Sequence, residues 1–143
     1  MKTILVRLAS CVCVASLASG ASANDIFFSA AYPSWDVQVD GGPVLSNPTI
    51  LLLRGKSYNL NVSGLGFHTF YINYSPGIGS ANAYTGSGLS DNGINSDTPP
   101  LSPITFDVPQ DAPDTLYYDC GVHASMEGMI RIDGILITGF DGP

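Results

Sequence analysis

Short runs in which apolar and polar residues alternate, cut by turn-forming residues, recur along this chain from about residue 25 onward. They leave few folds open. Tyr58, Leu60 and Val62 alternate with Ser57, Asn59 and Asn61, and Ile104, Phe106 and Val108 alternate with Thr105 and Asp107. A period of two puts every second side chain on one face of a strand, so that one face is buried and the other is wet. Gly41-Gly42-Pro43, Arg54-Gly55-Lys56, Ser63-Gly64 and Asp133-Gly134 punctuate the runs with residues that turn a chain rather than extend it. No segment carries apolar residues at a helical spacing. The runs predict strands over 26–29, 36–40, 49–53, 57–62, 69–74, 104–108, 115–119 and 129–137. Seven or eight short strands in one domain length predict an all-β fold, a two-sheet Greek-key β-sandwich.

One stretch breaks the rhythm. Residues 75–102 are rich in Gly, Ser and Asn and poor in large apolar residues. They make a long connection by ordinary loop lengths. The expectation is a surface excursion between the two sheets, pinned to the body by Tyr84 and Leu89.

The first 23 residues read as an export leader. Lys2 and Arg7 give a positive start, Leu8 to Leu17 a short apolar stretch, and Ala21-Ser22-Ala23 a cleavage signal with the small-x-small pattern of secretory peptides. Cleavage is expected after Ala23, which leaves 24–143 as the folded domain in the periplasm or outside the cell. The apolar stretch is too short for a membrane span. Leu8-Ala9-Ser10-Cys11 also resembles a lipoprotein box, and lipidation at Cys11 is the lesser alternative, because the box lies too near the start. Without the leader, three bases (Arg54, Lys56, Arg131) face twelve acids, a net charge of −9. A nucleic-acid partner is not expected, since phosphate contacts need a basic face. The acids Asp107, Asp111, Asp114 and Asp119 cluster in sequence. They read as a solvated rim, or as a charge that steers a basic redox partner.

Removal of the leader also leaves one cysteine, Cys120, two histidines, His68 and His123, and two methionines, Met126 and Met129. A lone cysteine in an exported chain has no internal disulfide partner and needs another reason to be there. Its neighbourhood supplies one: Cys120, His123 and Met126 stand at C-x2-H-x2-M spacing in Leu116-Tyr117-Tyr118-Asp119-Cys120-Gly121-Val122-His123-Ala124-Ser125-Met126-Glu127-Gly128. A strand runs into the cysteine, a tight loop follows, and a strand resumes. Thiolate and thioether with imidazole select copper, with zinc the commoner wrong metal, and a trigonal His2Cys set with a weak axial Met is the ligand set of blue-copper electron transfer. The second imidazole has to come from His68. The bland readings are a buried free thiol for Cys120, a surface residue for His123 and a hydrogen-bonded core residue for His68. Met129 competes with Met126 for the axial place. It falls on the face opposite Ile130 and Ile132, which makes it sheet surface or rim.

The chain resembles the cupredoxins, the small blue copper proteins of the plastocyanin and amicyanin kind. The resemblance covers 24–143 and rests on Gly66-Phe67-His68-Thr69-Phe70-Tyr71-Ile72 and on the loop from Tyr117 to Gly128. The short loop is closer to amicyanin than to plastocyanin. The resemblance implies one copper per chain, held by His68, Cys120 and His123 with Met126 axial, and a soluble, monomeric single-electron carrier whose electron leaves by an exposed His123. A dry shell of Phe67, Phe70, Val122 and Met126 is expected around the sulfur. Two features depart from the family: Thr69 stands where plastocyanins commonly have an Asn tying the ligand loops together, and the 75–102 excursion is long. A copper carrier or buffer without a redox task, and a metal-free interaction domain, are the competing readings. An enzyme is not expected, because no nucleophile-elbow pattern or carboxylate pair for glycoside chemistry stands out.

Overall fold

The computed structural model describes residues 24–94 and 103–134, and they form a β-sandwich without a helix. The strands are β1 (Asn24–Ala31), β2 (Ser34–Val39), β3 (Leu45–Ser46), β4 (Ile50–Leu53), β5 (Ser57–Ser63), β6 (Phe70–Asn73), β7 (Ile104–Asp107), β8 (Thr115–Cys120) and β9 (Glu127–Asp133). One sheet has the order β3-β2-β1-β5-β7 and the other β4-β9-β8-β6. Pairing is antiparallel except where β1 meets β5 and β4 meets β9. The strand count exceeds the expected seven or eight because β3 is only two residues long, too short to show a period. The 129–137 run begins earlier, at Glu127, and its last residues lie outside those described, as does the leader.

The alternation sorts the side chains as the sequence reading requires. Tyr58, Leu60 and Val62 of β5 and Ile104 and Phe106 of β7 point inward, against Ile72, Leu116, Ile130 and Ile132 of the other sheet. Phe28 from the first sheet locks the two together. Its ring lies 4.8 Å from that of Phe70 and 5.1 Å from that of Tyr118, both tilted toward edge-on. Such pairs contribute about 0.5–1.5 kcal/mol each beyond the area they bury. Gly128 is needed where it is because the Tyr118 hydroxyl crosses its backbone, in the space a Cβ would fill, to donate to the Pro48 carbonyl.

The excursion after β6 closes one side of the sandwich. Its described part bridges to β6 at Phe70 and Asn73 and to β7 at Phe106, so it spans both sheets. Tyr84 is buried against Phe106, and Leu89 packs on the core, as expected. The outer edge of β6 is satisfied by backbone bonds with Asn82, Tyr84 and Ile94 and, in its middle, by one side chain. The Ile72 amide donates to Asn92 Oδ1 at 2.8 Å, and Asn92 Nδ2 donates to the carbonyls of Ile72 (2.8 Å) and Tyr84 (3.1 Å). Asn92→Ala leaves the amide of fully buried Ile72 without an acceptor, a cost of about 2 kcal/mol. The expected result is a melting temperature lower by roughly 6–10 °C for a domain of this size. An unchanged melting curve would show that the excursion does not depend on this residue.

Candidate metal centre

The predicted ligands meet at one end of the sandwich. β5 runs toward that end and gives way to a turn in which Gly64 and Gly66 take φ of +66° and +53°, a left-handed conformation that costs glycine little. Leu65 between them is buried, and the His68 amide donates back to its carbonyl. The turn carries the His68 ring over the sheet ends. β8 arrives at the same end and finishes on Cys120, which is 1% exposed. The loop beyond it is closed by two backbone bonds, Cys120 N to Met126 O at 2.9 Å and Met126 N to His123 O at 3.1 Å.

His68 Nδ1 lies 3.4 Å from Cys120 Sγ, His123 Nδ1 lies 3.8 Å from the same sulfur, and the two Nδ1 atoms are 3.1 Å apart. These three form a group of potential metal donors among the described residues. The three donor atoms lie within 4.8 Å of one another, and one proton between the two nitrogens cannot serve all three. A cation can. Metal–nitrogen and metal–sulfur distances of about 2.0 and 2.3 Å place donors around one ion at the separations seen here. The His68 pKa is lowered, first by burial and then by the neighbouring His123. This favours the neutral imidazole a metal needs.

With Thr69 beside His68, the two ligand segments are tied by main chain. The Gly121 amide donates to the backbone carbonyl of Thr69 at 2.7 Å, so main chain does what a side chain does elsewhere. Tyr71 and Thr69 leave little room at Gly121: an added Cβ would lie 2.9 and 3.0 Å from them.

Two expectations need correction. The shell around the sulfur is not Phe67, Phe70, Val122 and Met126 together. Phe70 and Met126 are buried, but Phe67 is 83% exposed and Val122 is exposed beside it. Trp35 is there instead, fully buried, its ring 6.4 Å from that of His68 and 5.3 Å from that of Phe70. Its signal in the sequence was only that it is the single tryptophan of the chain. Second, Asp119 is not part of a solvated rim. It is buried, accepts from Asn73 Nδ2 at 2.9 Å, and burial pushes its pKa up to about 6 against the opposing pull of that bond. The remaining acids of that sequence cluster, Asp107, Asp111 and Asp114, are exposed, as a solvated rim requires, and they stand away from the site. Asp107 ends β7 opposite Ser57 and Asp114 precedes β8, at the end from which β5 and β8 run toward the ligands. Asp114 is also ion-paired with Arg54.

Of the two methionines, Met126 is wholly buried at the closing end of the ligand loop, whereas Met129 is 40% exposed on β9.

No family model matches the chain, and no curated protein does. Solved structures do. A rusticyanin variant superposes with a TM-score of 0.50 at 20% identity, covering 76% of each chain. The fold is that of the cupredoxins. Rusticyanin from Thiobacillus ferrooxidans is 22% identical over 76% of each chain, with a TM-score of 0.48. Auracyanin B is 16% identical over 76% of this chain and 88% of its own, with a TM-score of 0.43. Rusticyanin is a copper protein. In this cupredoxin fold the donor set of one thiolate and two imidazoles beside a buried methionine fits copper better than a hard cation, which takes oxygen ligands.

Proposed function

We propose that this chain is an exported type 1 copper protein that carries single electrons, with one copper held by His68, Cys120 and His123 and with Met126 as the weak axial donor. The convergence of the two Nδ1 atoms and Sγ within 4.8 Å of one another, at the end of a cupredoxin fold, carries this reading. Bound there, copper supplies a one-electron couple between Cu(I) and Cu(II). The protein's part is to keep the donors where they are in both states. Cys120 is fixed by its pairing with Phe70 and by the loop-closing bond from its amide. The His68 turn is tied to the same loop through Thr69 and Gly121. A cage that does not rearrange adds little barrier to electron transfer.

The electron's route to a partner is through His123. Its ring is half-buried and meets the Tyr32 ring edge-on at 5.1 Å. Tyr32, 68% exposed, Phe67 and Val122 form an apolar collar around this end, suited to a short-lived contact. The net negative charge draws a basic partner from a distance, while the acids at the far end stay out of the contact. Residues 1–23 are the export leader in this reading. No helix among the described residues is long and apolar enough to cross a membrane.

Voltammetry of the copper-loaded protein tests the carrier role. A reversible one-electron wave is expected. Copper bound at one equivalent without a reversible couple would leave only a carrier or buffer of the metal. The axial assignment has its own test. A lone-pair donor stabilises Cu(II) more than Cu(I), so Met126→Leu should raise the reduction potential and shift the visible bands, while Met129→Leu leaves both in place. The reverse pattern would move the axial ligand to Met129.

A further inference from the structure

We infer that Trp35 and Asn47 are positioning residues for the axial side of the metal centre: from the opposite sheet they hold the two consecutive backbone carbonyls, Ser125 and Met126, that set where Met126 stands. The inference rests on the copper reading of the site. Trp35 lies on β2 and donates its indole Nε1–H to the Met126 carbonyl at 3.0 Å. Asn47 follows β3 and donates Nδ2–H to the Ser125 carbonyl at 2.9 Å. The two holders are locked to each other. The Trp35 amide donates to Asn47 Oδ1 at 2.8 Å, and the Asn47 amide donates to the Trp35 carbonyl at 2.8 Å. Asn47 has φ of +45°, a left-handed conformation that asparagine tolerates better than most residues.

The topology gives this clamp its consequence. Cys120 ends β8, and His123 and Met126 lie in the connection from β8 to β9 of the same sheet, while Trp35 belongs to the other. The bonds inside the loop, from Cys120 N and Met126 N, fix its shape. They do not fix its height above the opposite sheet. Trp35 and Asn47 do, across 91 and 78 residues of sequence. The Met126 carbonyl accepts from both the Cys120 amide and the indole, so the loop closure and the clamp share one oxygen. The indole ring also stands edge-on to His68 and Phe70. One side chain therefore meets both the His68 ring and the Met126 carbonyl.

The test uses Trp35→Phe, which keeps an aromatic ring and loses the N–H, and Asn47→Asp, which keeps the acceptor for the Trp35 amide and loses the donor to Ser125. Asn92→Ala, whose side-chain hydrogen bonds go to Ile72 and Tyr84 and to none of the four ligands, is the destabilised control. Each protein is loaded with copper, and its visible spectrum, reduction potential and melting curve are recorded. Trp35 is the only tryptophan, so its emission also reports the site, and one equivalent of Cu(II) should quench it in the wild type. In Trp35→Phe and Asn47→Asp the ratio of Cu(I) to Cu(II) affinity should rise by up to about tenfold, a potential shift of about 59 mV for a one-electron couple, with altered band ratios. Asn92→Ala should melt lower with the native potential and spectrum. If the two clamp variants melt lower but keep the native potential and bands, the residues are structural only and the inference is overturned. If the wild type takes up no copper with a thiolate absorption, the copper reading itself fails and the inference with it.

Discussion

Cys120→Ser is expected to abolish the intense thiolate-to-copper absorption of the loaded protein and to weaken copper binding by more than about 100-fold, while the sandwich still folds. The argument has two halves. A serine hydroxyl does not ionise at neutral pH and is a hard donor, so it gives copper neither the charge nor the soft sulfur that selects it. Changes that only touch groups behind the ligands already cost about 10–100-fold in metal affinity, and loss of a ligand costs more. The fold is the other half. Cys120 is buried in β8 and paired with Phe70, and serine fits that space. Its hydroxyl loses hydration there at a cost of about 1–3 kcal/mol, a modest fall in melting temperature. Circular dichroism separates the two halves. A variant that keeps native secondary structure and still shows the full visible band would remove Cys120 from the site.

Copper is expected to stabilise the folded protein strongly, and its removal to reverse the effect. The three donors come from separate parts of the fold: His68 from the turn between β5 and β6, Cys120 from the end of β8 and His123 from the loop after it. They are together only in the native state, so binding favours that state by mass action. At free copper about 1,000 times the dissociation constant the gain is about 4 kcal/mol. For a domain of this size that corresponds to a rise in melting temperature of roughly 12–20 °C. A chelator should return the curve to that of the metal-free protein, and His68→Ala should lose most of the increment. Equal melting temperatures with and without copper would mean that the three donors do not act on one ion.

The local part of the site was legible in the sequence. Cys120, His123 and Met126 lie within seven residues, and a strand, a tight loop and a returning strand leave their backbones little freedom. His68 entered by elimination, and the structure places its Nδ1 3.4 Å from the cysteine sulfur. The sheet faces were equally plain, because a period of two sorts Tyr58, Leu60 and Val62 from their neighbours. The sorting stops where the strands stop. Phe67 and Val122 were expected to turn inward because they are large and apolar, but they sit in connections, where no period fixes a direction, and both face solvent. Trp35 and Asn47 left no signal because their partners are 91 and 78 residues away. Asn92 was hidden for a related reason: it meets the Ile72 backbone with one amide side chain, and nothing in a Gly- and Ser-rich stretch marks which Asn will do so.

The central claim is that one copper sits between Cys120, His68 and His123. Titration of the leader-free protein with Cu(II), followed by its visible spectrum, tests it most directly. The account predicts an intense thiolate-to-copper band that grows linearly and stops at one equivalent. One equivalent of Cu(II) bound with no such band would contradict it.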